Sequence, residues 1–325
     1  MIKLKMIKAP KFWYKENISI FSIVLLPLNI LWIFGGLVKK LISKKRKVSI
    51  PVISIGSAII GGSGKTPTVL FICDLLKKIG LDAHIVSKGY GGYYSLAKKV
   101  TKELTYQEVG DEALMMSSYH TTWVAKNKYQ GCRMAEKDGA DVVVLDDGLQ
   151  NSSILKNFSI YVFDGIQKFG NKFLVPAGPL RENVKKALSK CSIVFQINED
   201  EVMNEFKDKF QCFAKYKLEE KHHLLDKNII AFAGLGFNKK FFDQLKSYGF
   251  KVIKTVDFPD HHKYSVEDIY SLLDIANTID AHLLTTEKDH IRIPKDFKKS
   301  INFIKGRIEL ESEDDLIQQL KKNIA

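Results

Sequence analysis

A chain of 325 residues with 45% hydrophobic and 27% charged content has enough apolar surface for a substantial core and divides naturally into two domains, which excludes a disordered or low-complexity protein. Its formal net charge of +13 suits nucleic acid, an anionic membrane surface or a phosphorylated substrate. No nucleic-acid-binding motif accompanies the charge, and its placement favours the membrane, so nucleic acid is not an expected partner.

Residues 18–38 contain no Asp, Glu, Lys or Arg, and Lys39, Lys40, Lys44, Lys45, Arg46 and Lys47 follow directly, with Lys11 and Lys15 upstream. This reads as an apolar segment held between cations beside anionic lipid. The run is about long enough to cross a bilayer, yet Pro27, Asn29 and the Gly35-Gly36 pair are expected to interrupt a straight helix, which also suits a segment lying in one leaflet. The alternative is a hairpin of helices buried against the domain. No small-residue cleavage site precedes the basic cluster, so the run does not read as a signal peptide.

Next comes Ile55-Gly56-Ser57-Ala58-Ile59-Ile60-Gly61-Gly62-Ser63-Gly64-Lys65-Thr66, between a strand-like run ending at Ile55 and a helical pattern over 68–79. Glycines let backbone N–H groups close around a polyphosphate, Lys65 reaches the β/γ-phosphates and Thr66 can hold Mg²⁺. The first glycine of the general phosphate-loop pattern falls at Ile59, so Gly61, Gly62 and Gly64 must supply the flexibility. An ordinary glycine-rich turn is the competing reading.

From residue 48 to about 227, apolar runs at 52–55, 83–86, 142–145, 159–163 and 193–196 alternate with helical patterns, as in a parallel sheet flanked by helices. The third run ends in Asp146-Asp147-Gly148, the arrangement by which phosphate-loop enzymes bring an acid to Mg²⁺. A plain Asp-Gly turn explains neither the second acid nor the following Gln150. A second α/β unit is expected from Ile229, with a helix over 241–248 and a strand over 282–286. Cys73, Cys132, Cys191 and Cys212 show no metal-like spacing and read as reduced core residues of a cytosolic protein.

Further blocks join these motifs: Ser87-Lys88-Gly89-Tyr90-Gly91, Val109-Gly110-Asp111-Glu112, Asp146-Asp147-Gly148-Leu149-Gln150, Pro176-Ala177-Gly178-Pro179-Leu180-Arg181-Glu182, Phe258-Pro259-Asp260-His261-His262 and Thr286-Glu287-Lys288-Asp289. In this order, with Gly61 to Pro67, they resemble the tetraacyldisaccharide 4'-kinase family of lipid A synthesis over nearly the whole length. The resemblance implies a P-loop NTPase-like α/β fold with three parts: a hydrophobic, basic membrane-associating segment (1–47), a P-loop kinase domain (48–228) and a smaller C-terminal α/β domain (229–325) closing the cleft. It also implies an enzyme that uses ATP and Mg²⁺ to phosphorylate the 4'-hydroxyl of a tetraacylated glucosamine disaccharide 1-phosphate, giving lipid IVA at the cytoplasmic face of the bacterial inner membrane.

Carried over residue by residue, the resemblance gives Asp111 as the acceptor base, His261 as the partner that orients it, and Lys65 as the phosphate-binding cation. Thr66, Asp146, Asp147 and Glu182 become the metal group, and Ser87, Lys88, Tyr90, Gln150 and Arg181 the substrate contacts. Asp111 also suits a helix N-cap, His261 a packing histidine, and Arg181-Glu182 an exposed pair. Lys88 stands where the family usually has arginine, Asn151 where many members have histidine, and Lys126 or Lys128 replaces a further arginine. Two other functions fit parts of the chain. A nucleotide-gated membrane adaptor needs the cradle but no acceptor base, and a P-loop kinase of a soluble sugar or nucleoside leaves the apolar N-terminal run unexplained.

Overall fold

The structure, a computed structural model, describes residues 10–14, 18–219 and 223–324. Lys15 and the side chains of Lys11, Lys39 and Lys40 lie outside the described residues. In chain order the elements of the first part are α1 (Ile20–Ile42), β1 (Val52–Gly56), α2 (Lys65–Lys78), β2 (Ala83–Ser87), β3 (Lys98–Lys99), α3 (Tyr106–Val109), α4 (Asp111–Met116), β4 (Thr122–Val124), α5 (Lys128–Lys137), β5 (Val142–Leu145), β6 (Phe158–Asp164), α6 (Val184–Leu188), β7 (Ile193–Ile197) and β8 (Phe210–Leu218). There follow β9 (Asn228–Ala233), α7 (Asn238–Ser247), β10 (Lys251–Asp257), α8 (Val266–Thr278), β11 (His282–Thr286), α9 (Glu287–Ile291), β12 (Asn302–Ile304), β13 (Gly306–Leu310) and α10 (Asp314–Ile324).

The described chain forms two compact units, residues 10–215 with 308–324, and residues 216–307. The first is built on a nine-stranded sheet of order β13-β8-β7-β6-β1-β5-β2-β4-β3, in which the pairs from β8 through β4 are parallel. Strands β1, β2, β5, β6 and β7 are buried along their whole length, which is why they read as unbroken apolar runs rather than alternating ones. One face packs Tyr161, Phe163, Phe169 and Phe206, the other Val86, Trp123, Cys132 and Val143. All four cysteines are buried and free, and burial pushes the thiols of Cys132, Cys191 and Cys212 up to about 12.

Two sequence boundaries shift. The boundary drawn at 228 assigned the C-terminus to the smaller domain, but β13 neighbours β8 in the large sheet, and Glu313 beside α10 pairs with Lys78 of α2 at 2.6 Å, so residues 308–324 belong to the first unit. The N-terminal part likewise clusters with that unit, and its apolar run forms one continuous helix, α1, with Pro27 and both glycines inside it rather than a buried hairpin. Pro27 costs this helix a donor without ending it.

The second unit is a four-stranded parallel sheet of order β10-β9-β11-β12. Phe241, Phe242 and Leu245 of α7 cover one face, while Ile269, Leu272 and Ala276 of α8 cover the other.

Candidate active site

Central strand β1 lies between β5 and β6, so the loop leaving its carboxyl end opens at the point where the sheet's connections diverge, the place where open α/β sheets bind ligands. Ile59 occupies the position of the missing glycine because the loop's first arm is extended there. Ile59 bridges Leu180 in antiparallel fashion, the Ile60 N–H donates to the Pro179 carbonyl at 3.0 Å, and the Arg181 N–H donates to the Ala58 carbonyl at 2.7 Å. The turn proper is carried by Gly61, Gly62 and Gly64 at φ of 68°, 65° and 74°, where only glycine is unstrained. Space forbids side chains too: a Cβ on Gly64 would meet Ile197 Cδ1 at 2.5 Å. Gly64 is the N-cap of α2 and no side chain caps that end, leaving its first N–H groups for an anion.

Lys65 projects from the first turn of α2, donating to Ser63 Oγ at 3.1 Å and standing 3.9 Å from Asp147 Oδ1. Burial lowers its pKa, and Asp147 opposes that shift. The Arg181 guanidinium pairs with the other oxygen of Asp147, Oδ2. Among the described residues Asp147 Oδ1 accepts no hydrogen bond. Burial alone would raise this carboxyl, but Lys65, Arg181 and Lys128 outweigh it and hold the group well below the usual carboxylate range.

Its neighbour behaves oppositely. Asp146 is buried, its Oδ2 accepts from Ser87 Oγ at 2.8 Å, and burial, followed by the Glu112 carboxylate, pushes its pKa up to about 6. The turn bearing both acids is clamped by Lys128, whose buried ammonium donates to the Asp146 carbonyl and, at 3.1 Å, to that of Asp147, a residue at φ 49°. Lys128 and Glu112, whose Oε1 accepts from Thr66 Oγ1 at 3.4 Å, were not among the residues proposed from sequence. A lysine opening a helix reads as solvated surface, and only the family resemblance, in which Lys126 or Lys128 replaces an arginine ahead of the Asp146 strand, hinted otherwise. The structure settles which lysine faces that strand, since Lys126 is exposed.

Other expected contacts take different partners. Ser87 is buried and its hydroxyl donates to Asp146, so in this structure it supports a carboxylate. Glu182, expected at the metal, pairs with Lys190 and accepts from Gln150 Nε2 at 3.1 Å. Gln150 also donates to the Ser57 carbonyl at 2.9 Å, while its buried Oε1 has no hydrogen-bond partner among the described residues. Lys88 and Tyr90 are exposed on a loop seated against the start of α4, where a Cβ on Gly110 would lie 2.4 Å from the Tyr90 carbonyl. Asp111 is buried as the first residue of α4, with its Oδ1 accepting from the Glu112 N–H at 2.8 Å; the N-cap is Gly110.

In the second unit His261 adopts φ 55°, with its backbone N–H donating to the Gly234 carbonyl at 3.1 Å and its Nε2 lying 3.4 Å from Lys288 Nζ and 3.8 Å from Asp260 Oδ1. The two C-terminal sequence blocks thus meet. They are braced by Asp289 and by Arg292, which no sequence motif marked and which donates to the carbonyls of His262 and Gly234.

These residues fit a nucleotide with a shared cation. Among the described residues no group of three or more His, Cys, Asp or Glu side chains could enclose a metal. Mg²⁺ beside phosphates needs only one or two carboxylates and a hydroxyl, and Asp147 Oδ1, without a hydrogen bond among the described residues and 3.9 Å from Lys65, together with the Thr66 hydroxyl has that chemistry.

The family model described as tetraacyldisaccharide-1-P 4'-kinase (LpxK) matches residues 21–325. The chain is 34% identical over 318 residues to the tetraacyldisaccharide 4'-kinase of Rhodospirillum centenum, covering 95% of this chain and 94% of that one. It is 32% identical over 325 residues to that of Rickettsia akari, covering 99% and 98%. The crystal structure of LpxK from Aquifex aeolicus, described as in complex with ATP, superimposes with a TM-score of 0.74 at 25% identity over 94% of this chain and 100% of that one. The chain belongs to the tetraacyldisaccharide-1-P 4'-kinase family.

Proposed function

We propose that this chain transfers the γ-phosphoryl group of ATP to the 4'-hydroxyl of a tetraacyldisaccharide 1-phosphate, giving lipid IVA. The observation that carries the reading is the Gly61 to Thr66 cradle with partly buried Lys65 facing an Asp147 oxygen that has no hydrogen-bond partner among the described residues, in a chain of this family. Thr66, Asp146 and Asp147 are the residues that would hold Mg²⁺, which when bound neutralises charge developing on the phosphoryl oxygens. Glu112 and Lys128 support them. Lys65 binds and orients the phosphates, and Arg181, now braced on Asp147, is the further guanidinium beside them.

Asp111 accepts the proton of the attacking hydroxyl, and His261 orients it. The two belong to different units, and their pairing, closure of the cleft and the contacts of Lys88 and Tyr90 with the acceptor are part of this proposal. Helix α1, apolar over Ile20–Val38 and long enough by length and composition to cross a membrane, docks the enzyme on the anionic cytoplasmic face of the inner membrane, where the acceptor lies. Purified protein incubated with radiolabelled ATP, Mg²⁺ and a panel of lipid and soluble acceptors is expected to label the lipid disaccharide. Label confined to a soluble sugar or nucleoside, or ATP binding with no labelled acceptor, would replace this reading with one of the two alternatives.

A further inference from the structure

Helix α1 faces the protein with its polar side chains. Among its described side chains only Ser22 and Asn29 are buried, while Ile20, Phe21, Ile23, Val24, Ile30, Leu31 and Phe34 are exposed. Ser22 Oγ accepts from Asn171 Nδ2 at 3.0 Å, the Asn29 amide lies against the backbone of Leu174, Val175 and Ala177, and Trp32 Nε1 donates to the Arg181 carbonyl at 2.8 Å. Spacings of seven and three place these residues along one side of the helix. Trp13, just upstream, adds its Nε1 bond to the Pro176 carbonyl at 3.0 Å and accepts from the Asn171 N–H at 2.7 Å. A helix tied through Ser22, Asn29 and Trp32 to residues 171–181 cannot span a bilayer without dragging that irregular backbone into hydrocarbon, so it lies in the membrane plane with its apolar side outward.

The segment it grips is the one that shapes the nucleotide loop. Arg181 hooks the Ala58 carbonyl with its N–H and Asp147 with its guanidinium. A second connection runs on the other flank, where Gln167 Nε2 bridges the Tyr14 hydroxyl at 3.3 Å and the Gly61 carbonyl at 3.1 Å. We propose that Trp32 and Tyr14 are positioning residues of the phosphoryl-transfer site, Trp32 acting through Arg181 and Tyr14 through Gln167, so that seating α1 in lipid sets the cradle. The proposal rests on the membrane docking proposed above. Trp32 is 42% exposed, so water competes for its N–H until lipid covers the helix, and the bond to Arg181 then strengthens.

Trp32→Phe keeps an aromatic ring and removes the donor. Tyr14→Phe removes the hydroxyl partner of Gln167. Wild type and both variants are compared by co-sedimentation with phosphatidylglycerol-containing vesicles, by ATP affinity, and by kcat and acceptor KM in vesicles and in detergent micelles. Expected for Trp32→Phe are unchanged sedimentation and melting temperature, an unchanged acceptor KM, and a kcat on vesicles lowered about 5- to 10-fold, as loss of one hydrogen bond allows. Tyr14→Phe should weaken ATP binding about threefold and leave acceptor KM alone. Wild-type kcat in the first variant and wild-type ATP affinity in the second, with both still sedimenting, overturn the coupling. If wild type itself fails to sediment, the docking reading falls, and kcat of Trp32→Phe in micelles still decides the coupling.

Discussion

Asp147 in the first unit and Asp289 in the second are both carboxylates paired with an arginine, yet their surroundings differ in kind. Asp289 Oδ1 accepts from the Gly234 N–H at 2.8 Å and the Tyr264 hydroxyl at 2.7 Å and pairs with Arg292, while its Oδ2 accepts from the Thr286 hydroxyl at 2.6 Å. Both of its oxygens are taken. Asp147 gives one oxygen to Arg181 and keeps the other, 3.9 Å from Lys65, without a hydrogen bond among the described residues. A carboxylate satisfied by its own fold is a brace, and one held ionised among cations with an acceptor unused is ready for a ligand.

The sharpest break in that comparison comes from Lys65→Ala and Asp147→Asn. Each should lower turnover by about 10²–10³-fold or more, because positioned charge carries most of phosphoryl transfer, with little change in the thermal melt. Near wild-type kinase activity in Lys65→Ala would remove the cradle assignment. The converse substitution, Asp289→Ala, strands the fully buried Arg292 and should cost about 3–5 kcal/mol of stability, read by chemical denaturation. A stable Asp289→Ala protein with a specific catalytic defect would mean the two aspartates had been assigned the wrong way round.

A smaller effect tests whether the units cooperate. Asp111→Ala should reduce kcat by about 10²–10⁴-fold with ATP affinity largely kept, and His261→Ala should do the same to a lesser degree. If both serve one proton transfer, the double variant loses less than the sum of the single losses in free energy. Strict additivity in kcat would separate them.

Much of this was legible from sequence because parallel strands buried on both faces leave continuous apolar runs, and because the acids at the end of β5 interrupt such a run abruptly. Ile59 was legible as a departure, but its cause, pairing with Leu180, depends on a segment some 120 residues away. The roles of Lys128, Glu112 and Arg292 escaped for a common reason: charged residues on or directly after helices read as solvated, and only the fold reveals that each is drawn toward a carboxylate, hydroxyl or carbonyl. The return of residues 308–324 to the first unit is likewise a long-range pairing that local pattern does not encode.

The subtlest expected effect concerns Asp146, adjacent to Asp147 but shifted the opposite way. With its pKa raised from an ordinary 3.8 to about 6, the native state keeps a proton that the unfolded chain has already released between about pH 4 and 6. Native stability from this group therefore falls as pH rises through that window, and the cost is complete at neutral pH, about 3 kcal/mol at most from the size of the shift. Asp146→Asn removes the charge that carries this cost. In metal-free protein kept in EDTA, Asp146→Asn should be more stable than wild type by about 1–2 kcal/mol at pH 7.5 and indistinguishable from it near pH 4, measured by urea denaturation at each pH. Adding Mg²⁺ and ATP should reverse the order at pH 7.5, because the ionised wild-type carboxylate gains a cation and the amide does not. An Asn variant less stable than wild type at pH 7.5 in EDTA would show that Asp146 is a structural anchor like Asp289, and the contrast between the two units would then narrow to Asp147 alone.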